Sequence, residues 1–277
     1  RQMCIRDSIF CFTFILFPII GVGLKYATIG WLGQGLALGL LYLTLVPGTV
    51  QSSIAFTSVA HGNVAGAIVA SSLSNILGVF LTPLLVMLTM ATTGDVHITG
   101  RSILDIFLQI LLPFIIGQLL HKYLGPGLNR HPILTKTVDR GTIWINVYTA
   151  FSQAVVEGVW MRVTALHLLA LVGICIAVVS LVLVLSWCMA KGLGFNREDC
   201  IAAQFCGSKK SLSSGIAMGA VLFAGSTGEL SAGILMLPLM LFHLFQLLIC
   251  AVLAGRYVRQ WEREHTHAHA NDQGAAQ

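Results

Sequence analysis

Twice along this chain an apolar run long enough to cross a bilayer is interrupted halfway by residues that a lipid-facing helix does not carry. The first interruption, inside 30–60, is Val46-Pro47-Gly48-Thr49-Val50-Gln51-Ser52-Ser53. The second, inside 198–225, is Cys206-Gly207-Ser208-Lys209-Lys210-Ser211-Leu212-Ser213-Ser214-Gly215. Lipid satisfies no N–H or C=O, so non-helical backbone at membrane depth is tolerated only where protein or a wet cavity covers it. Two broken spans therefore imply an internal site, which a passive anchor would not need.

Six further apolar segments, at 9–24, 63–92, 103–121, 142–157, 166–190 and 231–258, bring the expected spans to eight, given that a core of roughly 30 Å takes about 20 residues to cross. Asp, Glu, Lys and Arg make up 10% of the 277 residues and apolar types 56%, whereas soluble domains carry about 25% charged residues. A water-soluble globule, a disordered chain, a coiled coil and collagen are excluded. The net charge of +5 suits cytoplasmic loops facing anionic lipid, and no basic, aromatic-interleaved stripe points to nucleic acid. With the C-terminus inside, nine cations (Lys122, Arg130, Lys136, Arg140, Lys191, Arg197, Arg256, Arg259, Arg263) fall in inner loops, and three (Lys25, Arg101, Arg162) in outer ones. That bias satisfies the positive-inside rule. The seven cysteines form no CxxC pair and read as small apolar residues.

Residues 9–261 read as one polytopic membrane domain and 262–277 as a polar, disordered cytoplasmic tail. The alternating His265, His267 and His269 of that tail lack the Cys or carboxylate of a rigid metal set. The chain opens at Arg1 without an initiator Met, and Ile9 to Leu24 reads as the stump of a spanning helix behind a doubtful leader of eight residues, not as a secretory signal.

Lys209 and Lys210 are the most informative residues. A charged Lys near the bilayer centre costs about 2.5–3.5 kcal/mol on insertion scales, so two in a row must be solvated or paired; a loop at the membrane interface is the plainer alternative. Ile201 to Phe205 before them and Ile216 to Phe223 after them read as two half-helices. No Asp or Glu lies between Cys200 and Gly228, so no carboxylate partner is evident for the lysines or for a metal cation. Three roles stay open. The lysines bind an anion, helped by the N-terminal end of the second half-helix; or they lie against carbonyl ends of the unwound segments, where a coupling cation would otherwise be held; or one of them carries protons.

Gln51, Ser52, Ser53 and Thr57, with Ser71, Ser72, Ser74 and Asn75 a span away, offer hydroxyls and amides without charge. Such residues also let membrane helices approach and hydrogen-bond, which suits Ser72 and Ser74 equally well. Gln51, Ser53, Ser71 and Asn75 are assigned to the site. His243 and Gln246 share a face of the last span and read as interhelical hydrogen bonders. Asn146, Tyr148, Ser152, Gln153 and Glu157 make the span at 142–157 polar along one side, and Gly62-Asn63 reads as a tight turn. Each break is followed by a proline, and counting 30 residues back from Pro83 and Pro238 reaches Ser53 and Ser208. This is the weak internal symmetry of an inverted-repeat transporter. Enzymatic readings fare poorly: there is no HExxH, GxSxG, P-loop or pair of intramembrane aspartates. A Ser-Lys dyad of Lys210 with Ser208 or Ser211 rests on adjacency alone.

The stretch Thr49-Val50-Gln51-Ser52-Ser53-Ile54-Ala55-Phe56-Thr57-Ser58-Val59-Ala60-His61-Gly62-Asn63-Val64, then Leu81-Thr82-Pro83-Leu84-Leu85, and Phe205-Cys206-Gly207-Ser208-Lys209-Lys210-Ser211-Leu212 resemble the bile acid:sodium symporter superfamily, in its bacterial symporter-like branch. The resemblance runs from about Ile9 to Trp261. It implies an all-helical, ten-span fold of two inverted five-span repeats, with a panel domain and a core domain whose fourth and ninth spans unwind and cross. The segments above would be spans three to ten, with the first two missing. By resemblance the glutamate of the sodium-coupled members falls near Cys206, an asparagine of the fourth span near Ile54, and a hydroxyl of the fifth near Ser71. This chain has no acid at the glutamate position.

The expectation is therefore a multi-pass secondary transporter of the bacterial inner membrane for a small organic, anionic solute. The binding residues are expected among Gln51, Ser52, Ser53, Ser71, Asn75, Cys206, Gly207, Ser208, Lys209, Lys210 and Ser211. No catalytic residue, metal or resident cofactor is expected; Na+ or H+ coupling is left open. The partners are the solute and the bilayer, with a homodimer allowed. A non-transporting regulator or scaffold that keeps the fold is the competing expectation.

Overall fold

The computed structural model describes residues 2–91, 108, 112–129, 132–156, 158, 163–223 and 230–275. Among them all regular structure is helical. The first span is one rod made of α1 (Gln2–Cys11), a π-helical turn (Phe12–Leu16) and α2 (Phe17–Leu32). It stops at Gly33, whose φ of +87° suits glycine. The first broken span follows as α3 (Gln34–Leu45) and α4 (Gln51–Val59). Val46 between them is extended (φ −72°, ψ 153°), the conformation favoured before a proline, and Pro47 cannot continue the helix. The chain reverses at His61 (φ 55°), and Asn63 caps α5 (Val64–Val86) by accepting from Gly66 N.

After α6 (Leu112–Asn129) and α7 (Pro132–Val156), α8 (Ala165–Gly192) is capped by Thr164. The second broken span is α9 (Arg197–Gly207), capped by Asn196, and α10 (Leu212–Leu222), capped by Ser211. The chain ends in α11 (Ala232–Ala275). One order of elements thus occurs twice: a long helix, two half-helices around a break, and a long helix carrying a proline, Pro83 in α5 and Pro238 in α11.

The core sits on α3, in which every residue from Gly35 to Leu45 is buried, with α2 and α11 packed against it. Tyr42, Phe17, Phe205, Phe223 and Phe242 fill the space around it. Gly39 allows the closest approach, because a Cβ there would lie 2.6 Å from the Leu235 carbonyl oxygen. Large apolar side chains such as Ile19, Phe80, Val184 and Leu248 face outward along the long helices, as expected where lipid replaces water. Among the described residues four helices are long and apolar enough to cross a membrane: Arg6–Leu32, Val64–Met90, Ala165–Gly192 and Ala232–Glu264. The half-helices are each too short to be counted alone.

Several boundaries differ from the sequence reading. The first span does not stop before Lys25 but continues to Leu32, and Lys25 is buried within it, not in an outer loop; the residues beyond it stay apolar up to Gly33, so nothing ends the helix sooner. The helix expected at 142 begins at Pro132, a residue favoured at a helix start. The last helix runs past Trp261 as far as Ala275, where a disordered tail is expected; Arg197 holds Glu264 at 2.7 Å beyond that point. The segments expected to begin at 103 and to end at Glu157 fall partly outside the described residues, as do the side chains of Asn146 and Gln153. The count from the two prolines does not superimpose the breaks residue for residue: Ser53 lies in α4, after the first break, whereas Ser208 opens the second.

Candidate functional site

The two unwound segments cross in contact. The Pro47 carbonyl oxygen accepts from Ser211 N at 2.8 Å, and Ser53 Oγ donates to the Phe205 carbonyl at 3.3 Å. A Cβ on Gly48 would stand 3.3 Å from the Lys209 carbonyl oxygen, so glycine eases the approach.

Both lysine side chains are fully buried at this crossing. Lys210 Nζ donates to three carbonyl oxygens: Thr13 at 3.1 Å, Thr44 at 2.7 Å and Val46 at 2.8 Å. It also lies 4.1 Å from the centre of the Phe17 ring. Each acceptor has a local origin. Thr44 and Val46 flank the C-terminal end of α3, where carbonyls lose their helical donors and the helix dipole is negative. The π turn gives Phe17 N–H to Phe12 O, and the next residue, Pro18, has no N–H. Thr13 O is thereby left to Lys210. Lys209 Nζ donates to the Ser52 carbonyl at 2.8 Å and sits over the rings of Phe56 (3.9 Å) and Phe205 (5.4 Å), an arrangement that cation–π attraction favours.

Gln246 fixes the second break from α11. Its Oε1 accepts from Lys210 N and its Nε2 donates to Lys210 O, both at 2.8 Å, while Nε2 also meets His243 Nδ1 at 2.8 Å. His243 and Gln246 are therefore partners across the crossing, facing the Lys210 backbone.

Beside the lysines is a cavity of about 400 Å³, lined from the first break by Thr49, Val50, Gln51 and Ser52, from α5 by Asn75, from the second break by Ser211, Leu212, Ser213 and Ser214, and from α11 by His243 and Leu247. The first turns of α4 and α10 both open on it. A larger depression of about 560 Å³ near Ile29–Leu36 is lined mainly by apolar residues and touches neither break.

Of the residues expected to bind, Gln51, Ser52, Asn75 and Ser211 line this cavity. Ser53, Ser71, Cys206, Gly207, Ser208, Lys209 and Lys210 do not; they are packed behind it. Ser71 Oγ donates to Cys206 Sγ at 3.2 Å, Gly207 lies against Phe12, and Ser208 Oγ is buried without a partner. Thr49, Ser213, Ser214 and His243 were not among the expected set, although the first three belong to the same polar interruptions. The carbonyls at the end of α3 that Lys210 meets match one of the three roles left open for it, whereas Thr13 O was missed, and Pro18, which strands that carbonyl in the first span, is its sequence signal.

At the other end of α4, the turn leading to α5 is tied to α9 and α11. Asn63 N donates to Glu198 O at 3.0 Å, Asn63 Nδ2 to Asp199 Oδ1 at 2.7 Å, and the His61 ring stacks on Trp261 at 4.1 Å.

The profile of the SBF-like CPA transporter family matches residues 2–259. An uncharacterized protein of Pseudomonas aeruginosa is 48% identical over 252 residues, which cover 91% of this chain and 74% of that protein. "Putative symporter YfeH" of Escherichia coli is 45% identical over 258 residues, 92% of this chain and 75% of its own length. The sodium/bile acid cotransporter 7 of Xenopus tropicalis is 27% identical over 252 residues, covering 90% and 72% of the two chains.

Proposed function

The chain belongs to the SBF-like CPA transporter family of the bile acid:sodium symporter superfamily, and from that premise we propose that it is a secondary active transporter of a small organic anion. The observation that carries this reading is the cavity at the crossing. Two half-helix N-termini, those of α4 and α10, open on a space whose polar lining is hydroxyl, amide and imidazole, without a carboxylate. Helix N-termini favour anions, and discontinuous helices that aim them at a midplane site are a recurrent device of secondary transporters. The lysines add positive charge behind the wall while their own donors are engaged elsewhere.

The doubled order of elements supports two five-span repeats of opposite orientation. Alternating access then comes from rocking a core, built around the two broken spans, against a panel. The bacterial inner membrane, with the C-terminus in the cytoplasm, is the location that the cation bias favours.

The test is uptake into proteoliposomes across a panel of small carboxylates, sulfonates and neutral analogues. Anions should be taken up in preference, and Gln51→Ala or Asn75→Ala should weaken apparent affinity about two- to tenfold, the effect of one lost hydrogen bond of about 0.5–1.5 kcal/mol. Uptake no greater than in empty liposomes for every solute would leave the scaffold reading standing.

A further inference from the structure

We propose that Lys210 is a tethered cation: its ammonium fills an oxygen cage that would otherwise hold a free monovalent metal ion, so that no sodium ion is needed at this position. The inference uses the transport reading only to interpret the consequence for coupling.

The cage is built from two separated pieces of backbone, the π turn at Thr13 and the end of α3 at Thr44 and Val46, whose oxygens converge on one point at 2.7–3.1 Å from Nζ. Three acceptors require three donors, which an ammonium supplies and a neutral amine does not. Convergent backbone carbonyls, helix C-terminal ends and unwound segments are the ligands with which membrane proteins replace the hydration shell of an alkali ion. Phe17 closes one side with its ring face 4.1 Å away, which also suits a cation. The Oγ1 of Thr13 is also buried and lacks a hydrogen-bond partner. Three carbonyls aimed at one point repel one another, so the crossing requires a positive charge there whether it arrives on a side chain or from solution. Among the described residues the partners of the Lys210 ammonium are neutral carbonyls and not a carboxylate, so the local charge equals that of the same cage holding one monovalent metal ion.

The test is thermal unfolding of the purified protein in detergent, in sodium, potassium or choline chloride at equal ionic strength, for the native chain, Lys210→Ala and Lys210→Met. No organic solute is present, so failure of the native chain to transport would sink the transport reading and leave this result intact. The native chain should melt at the same temperature in all three salts. Both variants should melt lower in choline, and sodium or potassium should raise Lys210→Ala selectively and saturably, by about 3–5 °C at tenfold above its Kd. Bound ²²Na+ should appear in Lys210→Ala and be absent from the native chain. Lys210→Met fills the cage with an apolar chain and should be rescued less. Selective stabilisation of the native chain by sodium overturns the proposal. So does indifference of Lys210→Ala to the cation, and so does failure of both variants to fold in every salt, because a vacated cage should be refilled.

Discussion

Asn63 donates through its side-chain amide to Asp199 across 2.7 Å, tying the turn that leaves α4 to the first turn of α9. The same side chain caps α5 through Gly66 N at 2.8 Å. Asn63→Ala removes both bonds, a cap of about 1 kcal/mol and a charge-assisted bond of about 1.5–3 kcal/mol. The thermal midpoint of the purified protein should fall. Asn63→Asp keeps the cap but sets a carboxylate against Asp199, so it should lower the midpoint further than alanine does in low-salt buffer. A gap that is absent, or that does not narrow on adding salt, would contradict the pairing.

The approach of α3 to α11 depends on Gly39, where a Cβ would fall 2.6 Å from the Leu235 carbonyl oxygen and 2.8 Å from Pro238 Cγ. Neither neighbour is a flexible side-chain end. Gly39→Ala should therefore destabilise by about 1–3 kcal/mol, as overpacked cores do. Gly173 in α8 has nothing within 4 Å of its Cβ position, so Gly173→Ala should leave the melting temperature unchanged or raise it. Equal effects at the two sites would show that helix propensity, not contact, decides.

Lys209 and Phe56 are separated by 3.9 Å from ammonium to ring centre. A double-mutant cycle of Lys209→Met and Phe56→Leu, read by denaturant or thermal unfolding, should give a coupling of about 0.5–2 kcal/mol. Additive single effects would remove the ring from any part in holding the charge.

Gln246 satisfies both backbone polar groups of Lys210. Gln246→Leu keeps the volume and strips both partners, at about 1–3 kcal/mol for each buried group left unpaired. Gln246→Glu retains the acceptor and loses the donor, so it should keep the bond from Lys210 N and give up the one to Lys210 O. Uptake and stability should fall together in Gln246→Leu; loss of uptake with unchanged melting would mean that Gln246 contacts solute instead.

The breaks were legible because charge and proline inside an apolar run are costly anywhere but in a covered site: Pro47, Lys209 and Lys210 announce themselves. Helix extent was less so. Lys25 reads as the end of a span by its charge, yet a single buried cation did not stop a helix whose next residues are apolar. Carbonyl ends of the unwound segments were one of three open destinations for the lysine side chains, but the particular oxygens, at Thr13, Thr44, Val46 and Ser52, could not be read, because every residue type carries that atom. Asn63 looked like turn chemistry alone, since its partner Asp199 lies 136 residues away. The equal spacing of Ser53 and Ser208 from their prolines is offset by a few residues in the fold, because Ser53 follows its break and Ser208 opens its own.

The order of synthesis gives the π turn of the first span a meaning of its own. Pro18 leaves the oxygen of Thr13 without a donor on its own helix, and the group that satisfies it lies 197 residues later. The first span therefore leaves the ribosome with an exposed acceptor facing what will become the interior. Until Lys210 arrives, that oxygen needs water or an insertion factor beside it, so the nascent bundle must stay wet on this side until its second half is made.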